Sequence, residues 1–128
     1  MQVDISFETA GAIMNGQGEN VIAEFMDEWA QTMGDVAVTE LQMVSWGTFM
    51  RPTGNWARHI QTDIRGDDVV VHDSRLVYGP WLEGTSRRNR STHFKGYSLF
   101  RKRAQALEAR AEQIGQSIAD GYIRRLEA

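Results

Sequence analysis

Apolar positions recur with a period of two at the start of the chain. In QVDISFE (2–8), Val3, Ile5 and Phe7 share one side, and Asp4, Ser6 and Glu8 share the other. That alternation predicts a half-buried strand. The stretch GAIMNGQGEN (11–20) carries three glycines and two asparagines and predicts a loop. The period then lengthens. Ile22, Phe25/Met26, Trp29, Met33, Val36/Ala37, Leu41 and Val44 recur at three- and four-residue steps, the signature of a long amphipathic helix. Asn20 is its expected N-cap, Asp27 and Glu28 lie on its early solvent side, and Gly34 interrupts the run. Pro52 and Gly54 end it.

In the middle of the chain, WARHIQTDI (56–64) and VVVHDSRLVY (69–78) flank Gly66-Asp67-Asp68, a hairpin pattern that Gly79-Pro80 closes. From Ser98 to about Leu126 a second apolar stripe runs through Phe100, Ala104, Leu107, Ala111, Ile114, Ile118, Tyr122 and Leu126. Arg103, Arg110, Gln113 and Arg124 are expected opposite it, with Asp120 and Arg124 as an i,i+4 pair. The order β–long α–β–β–α predicts an α+β fold. A small antiparallel sheet, the N-terminal strand plus the central hairpin, packs against a long N-terminal helix and a C-terminal amphipathic helix.

Composition narrows the function classes. The 128 residues suit one domain spanning 1–128. Without cysteine there is no disulfide, thiol nucleophile or zinc-thiolate site. Nothing resembles a signal peptide, and no apolar run is long enough to span a bilayer, so a soluble product made and assembled inside a cell is expected.

Charge is distributed unevenly. Residues 1–50 hold eight acids and no base, while residues 84–128 hold ten bases and four acids. Arg87, Arg88, Arg90, Lys95, Arg101, Lys102 and Arg103 fall within 17 residues with no acid among them. The last three occupy the start of a helix, where positive charge opposes the macrodipole at a cost of a few tenths to ~1 kcal/mol each. Such a cluster faces something negative: the acidic first helix of the same chain, that helix in a neighbouring subunit, or nucleic acid phosphate. Phe94 and Tyr97 interleave with the bases, as in nucleic-acid modules, but the pI near 5.6 opposes a dedicated binder.

Catalytic patterns are weak. The glycine pair at 79 and 84 has P-loop spacing, but Thr85 stands where the lysine is needed. His59, His72 and His93 lack the spacing of a metal site. On a strand, His72, Asp73 and Ser74 point to alternate faces and form no relay among themselves. No enzyme, metal or cofactor is expected. Trp56, Tyr78, Trp81 and Phe94 are expected core aromatics. Tyr78-Gly79-Pro80-Trp81-Leu82-Glu83-Gly84-Thr85 is expected to be a stiff corner, with Glu83 accepting the amides of Gly84 and Thr85. The corner leads into a long basic loop, 84–97, of a length that is usually functional.

Thr53-Gly54-Asn55-Trp56-Ala57-Arg58-His59-Ile60, the hairpin, Tyr78–Thr85, the basic loop and the terminal helix resemble the tail-completion (neck) family of long-tailed bacteriophages. The likeness covers about residues 50–128. Trp56, His59 and Gly79 stand where that family has an aliphatic residue, a serine and an alanine, and the aromatic between Glu83 and Gly84 is missing.

The resemblance implies a structural virion protein without enzymatic activity. It would form a homo-oligomeric ring, commonly a hexamer, at the head–tail junction, with double-stranded genomic DNA passing through. The implied neighbours are head-closure, tail-terminator and tail-tube proteins. Assembly would occur in the bacterial host cytoplasm, with no membrane partner. Within such a ring the basic segment would meet Glu24, Asp27 and Glu28 of the next subunit. A tail terminator or head-closure protein, and a nucleic-acid-binding protein using Arg87–Arg103, are the alternatives.

Overall fold

The computed structural model describes residues 1–14, 17–49, 54–65 and 68–127. Asn15 and Gly16 of the expected first loop, Pro52 and Thr53 of the helix end and motif, and Gly66 and Asp67 of the hairpin turn lie outside the described residues.

Gln2–Asp4 form strand β1, and Phe7–Ile13 form helix α1. The long helix is α2, Glu19–Thr48, followed by a single helical turn, α3, Asn55–Arg58. Strands β2 (Gln61–Arg65) and β3 (Asp68–His72) make the hairpin. Two short helices, α4 (Gly79–Glu83) and α5 (Arg87–Thr92), lead to the last helix, α6 (Leu99–Glu127). The fold is α+β, a three-stranded antiparallel sheet in the order β1-β3-β2 packed against two long helices. Among the described residues no helix is long and apolar enough to cross a membrane.

The sheet register explains which residues enter the core. Val3 pairs with Val69, which pairs with Ile64, and Thr62 pairs with Val71. Val3, Val69 and Val71 are fully buried on the face that meets α2. Helix α2 also contacts α6, and its buried stripe runs Ile22, Phe25, Trp29, Met33, Ala37 and Leu41, as the three- and four-residue spacing predicts. Gly34 does not break the helix. Thr62 fills its flank, and a Cβ there would sit 2.6 Å from Thr62 Cγ2.

Several expected boundaries move. The first strand stops at Asp4 because Ser6 becomes an N-cap, its hydroxyl accepting the Thr9 amide at 3.0 Å. The expected loop therefore opens inside α1, which takes residues 11–13, and Ala10 of that helix and Met14, its C-cap, are fully buried. The cap of α2 is the backbone of Gly18 rather than Asn20. Trp56 falls in the helical turn α3, which follows Gly54 at φ 81°, so the strand expected from 56 starts at Gln61. Strand β3 ends at His72 rather than Tyr78, since Ser74 and Arg75 adopt left-handed φ values of 59° and 58°. On α6, Leu126 is exposed, and Arg124 Nε donates to the Asp120 carbonyl rather than its carboxylate.

Trp29 joins the two long helices. It is buried, stacks on Phe25 at 5.6 Å, and its Nε1 donates to the Ala111 carbonyl of α6 at 3.1 Å. Gly115 gives the indole its room, for a Cβ there would lie 2.7 Å from Trp29 Cε2. Alanine raises helix propensity by about 1 kcal/mol over glycine. Gly115→Ala is nevertheless expected to destabilise by about 1–3 kcal/mol through overpacking. Urea unfolding measures it, and a gain in stability would mean that the indole moves aside freely.

Candidate functional site

The basic segment is not a loop passing over the surface but a folded excursion fastened at both ends. Pro80 sits in the first turn of α4, where its missing N–H is no loss. Gly84, at φ 97°, ends α4, and the amides of Gly84 and Thr85 both donate to the Pro80 carbonyl at 2.9 Å. The expected Glu83 contact with those two amides is thereby corrected. Glu83 instead reaches the start of α6, where Oε1 accepts the Phe100 amide at 3.0 Å and Oε2 the Arg101 amide at 3.1 Å. The Tyr97 amide donates to the Leu82 carbonyl at 2.6 Å and completes the seam.

The backbones of residues 84 and 96 cross without side chains between them. A Cβ on Gly84 would run into the Lys95 carbonyl, and one on Gly96 into the Gly84 backbone. Both glycines also have positive φ, 97° and 79°. At Gly79 a Cβ would meet the carboxylate of Asp73, which would have to swing aside to admit it.

Asn89 organises the interior of the excursion. Its Oδ1 accepts from the Ser86 amide and hydroxyl at 2.9 and 2.8 Å. Its Nδ2 donates to the carbonyls of Trp81 and Phe94 at 3.0 and 2.8 Å. Those bonds satisfy a buried amide completely and start α5, so residues 84–97 contain a helix where an irregular loop was expected. Aromatic rings continue the packing inward. Trp81 stacks on Phe94 at 4.6 Å, Phe94 meets Tyr97, Tyr97 meets Phe49, and Phe49 meets Trp56. Trp56 is buried as expected, whereas Trp81 and Phe94 are half-buried and Tyr78 is exposed.

This scaffold sorts the seven bases. Arg87, Arg88, Arg90, Lys95, Arg101 and Lys102 are exposed. Arg88 lies over the free face of Trp81, 5.3 Å from the ring centroid. Arg103 turns inward to Glu40 of α2 at 3.5 Å, where Arg110 also binds at 2.8 Å. Other α2 acids are engaged similarly. Glu28 pairs with Arg125 at 3.0 Å, and Glu24 accepts the Tyr122 phenol and raises its pKa. Asp27 is exposed. Lys95, Arg101 and Lys102 line an open cleft of about 360 Å³ together with Glu83, Thr85 and Ser98.

The histidines sit elsewhere. His72 Nε2 meets Asp63 at 3.0 Å, and His72 Nδ1 accepts the Ser74 amide, while the Ser74 hydroxyl donates to the His59 carbonyl. Among the described residues no three His, Asp or Glu side chains gather as a metal site.

The Glu83 carboxylate should matter as a cap. Glu83→Ala is expected to cost about 2 kcal/mol, from two charge-assisted hydrogen bonds and a favourable dipole contact. Amide exchange should accelerate at Phe100 and Arg101. Unchanged exchange there would show that the capping carboxylate is dispensable. Gly84→Ala should cost a further ~1–3 kcal/mol through backbone strain, read by the same unfolding curves. In comparisons with known protein families, with curated proteins and with solved structures, the chain matches none.

Proposed function

We propose that this chain is a structural component of the head–tail junction of a long-tailed bacteriophage. It assembles with copies of itself into a ring around the DNA channel and joins tail to head. The observation that carries the reading is the likeness of residues 50–128 to tail-completion proteins. Its second motif, Tyr78–Thr85, supplies both ends of the seam with α6 through Leu82 and Glu83. The motif residues therefore support architecture rather than a substrate pocket, which suits a structural role. Placement within a virion, a hexameric ring, and contacts with head-closure, tail-terminator and tail-tube proteins belong to this proposal. The tail-terminator and head-closure roles are variants of it.

The test is assembly state. Mass photometry and negative-stain images of the purified chain should show a discrete ring whose mass is an integral multiple of the 14.5 kDa protomer. A chain that stays monomeric both alone and with its neighbouring connector proteins, and is absent from purified particles, would sink the reading.

A further inference from the structure

Of the three partners open to the basic segment, the structure favours one. Among the described residues, the acidic helix of the same chain engages Arg103 alone of the seven bases. The same helix in a second copy offers only part of its charge, because Glu24, Glu28 and Glu40 are already held by Tyr122, Arg125, Arg103 and Arg110 of their own α6, while Glu19, Asp27 and Asp35 stay exposed. Meeting a neighbour's bases through the three held acids would mean giving up those contacts. What remains is an outward face whose cleft is also lined by one carboxylate, Glu83, and both oxygens of that carboxylate are engaged by the α6 backbone.

We infer that the face formed by Arg87, Arg90, Lys95, Arg101 and Lys102 contacts the phosphodiester backbone of duplex DNA without reading its sequence. Among the described residues Arg87, Arg90, Lys95 and Lys102 form no ion pair, and Arg101 touches only the Ser98 hydroxyl with its guanidinium. The cleft between Lys95, Arg101 and Lys102 has room, at about 360 Å³, for a phosphate group with its waters. Putting cations at the first turn of α6 is unfavourable on its own account. Glu83 takes over the cap from beneath, and the cations are left to point outward.

Duplex is favoured over single strand by the aromatics. Binders of single strands stack bases on open rings. Here Phe94 and Arg88 both pack on the Trp81 ring, so the aromatic nearest the bases offers no open platform, and the exposed Trp46 and Tyr78 belong to other segments. The six-residue α5 is too short to read a major groove, which leaves backbone contact. If the ring reading holds, this face lines or rims the channel. That placement rests on the proposed function, whereas the phosphate contact is measurable without it.

Fluorescence anisotropy of a short labelled duplex with the purified full chain tests the contact. Affinity should fall about 100-fold between roughly 50 and 200 mM salt, as for about four neutralised phosphates. Arg87→Ala with Arg90→Ala, and Arg101→Ala with Lys102→Ala, should each weaken binding at least tenfold and reduce the salt slope by about 2. Arg101→Lys should retain it. Arg58→Ala with Arg124→Ala, exposed cations outside the face, should bind as the parent does. A labelled single strand of the same length should bind no more tightly than the duplex.

No binding by the parent chain at low salt, or equal losses from the control pair, overturns the inference. Charge reversals at Arg87 and Arg90 that abolish oligomers in mass photometry while leaving DNA affinity intact would also overturn it and assign the face to a second copy. A parent chain that binds DNA through these residues, yet stays monomeric alone and with its neighbouring connector proteins and is absent from purified particles, sinks the ring reading alone.

Discussion

A single carboxylate sets the arrangement of the second half of the chain. Glu83 ends one helix and caps another, so the direction of α6 is fixed relative to the α4 turn by two hydrogen bonds to consecutive backbone amides. Three features depend on it. The excursion 84–97 is closed at its base, because Tyr97 reaches Leu82 only when the start of α6 lies against α4. Leu99 and Phe100 enter the apolar cluster beside Trp56. Cations can occupy the first turn of α6, since its amides already have an anionic partner.

Trp29 and Gly115 play the corresponding part at the middle of α6. The indole binds the Ala111 carbonyl across the helix pair, and the glycine leaves space for the ring. Ion pairs flank this contact at Glu40 and Glu28. The acidic first half and the basic last half of the sequence thus meet within one molecule along α2 and α6, but only for the bases from Arg103 onward. The bases of the cluster before it look outward, four from the backbone-sewn excursion 84–97 and two, Arg101 and Lys102, from the first turn of α6.

Both long helices and the three strands could be read from the sequence. The apolar stripes are long, and the alternation at 2–8 and the hairpin pattern around Gly66-Asp67-Asp68 mark the strands, but their order, with β3 central, came only with the structure. What stayed hidden depended on contacts distant in sequence or on short local competition. A Ser6 cap outweighed two further residues of strand alternation at Ile5 and Phe7. Gly54 and the left-handed pair Ser74-Arg75 cut both hairpin strands short, and nothing in a period-two pattern reports φ. Glu83 was singled out as an acceptor, yet its donors lie 17 and 18 residues away and become neighbours only once Asn89 has folded the intervening segment. The seven bases were visible as one cluster. Their division into one inward and six outward residues required the position of Glu40.

The glycine crossing at residues 84 and 96 makes the basic unit modular. Its two ends leave the body of the molecule a backbone's width apart, held by the Leu82–Tyr97 bond and by glycines that no other residue replaces without strain. The packing of α2 on α6 and on the sheet lies outside that crossing. A segment of another length between the two glycines, closed by the same seam, would therefore change the outward surface while the long helices and the strands keep their contacts. The two glycines mark the boundary between the part of the chain that builds the core and the part that shapes this face.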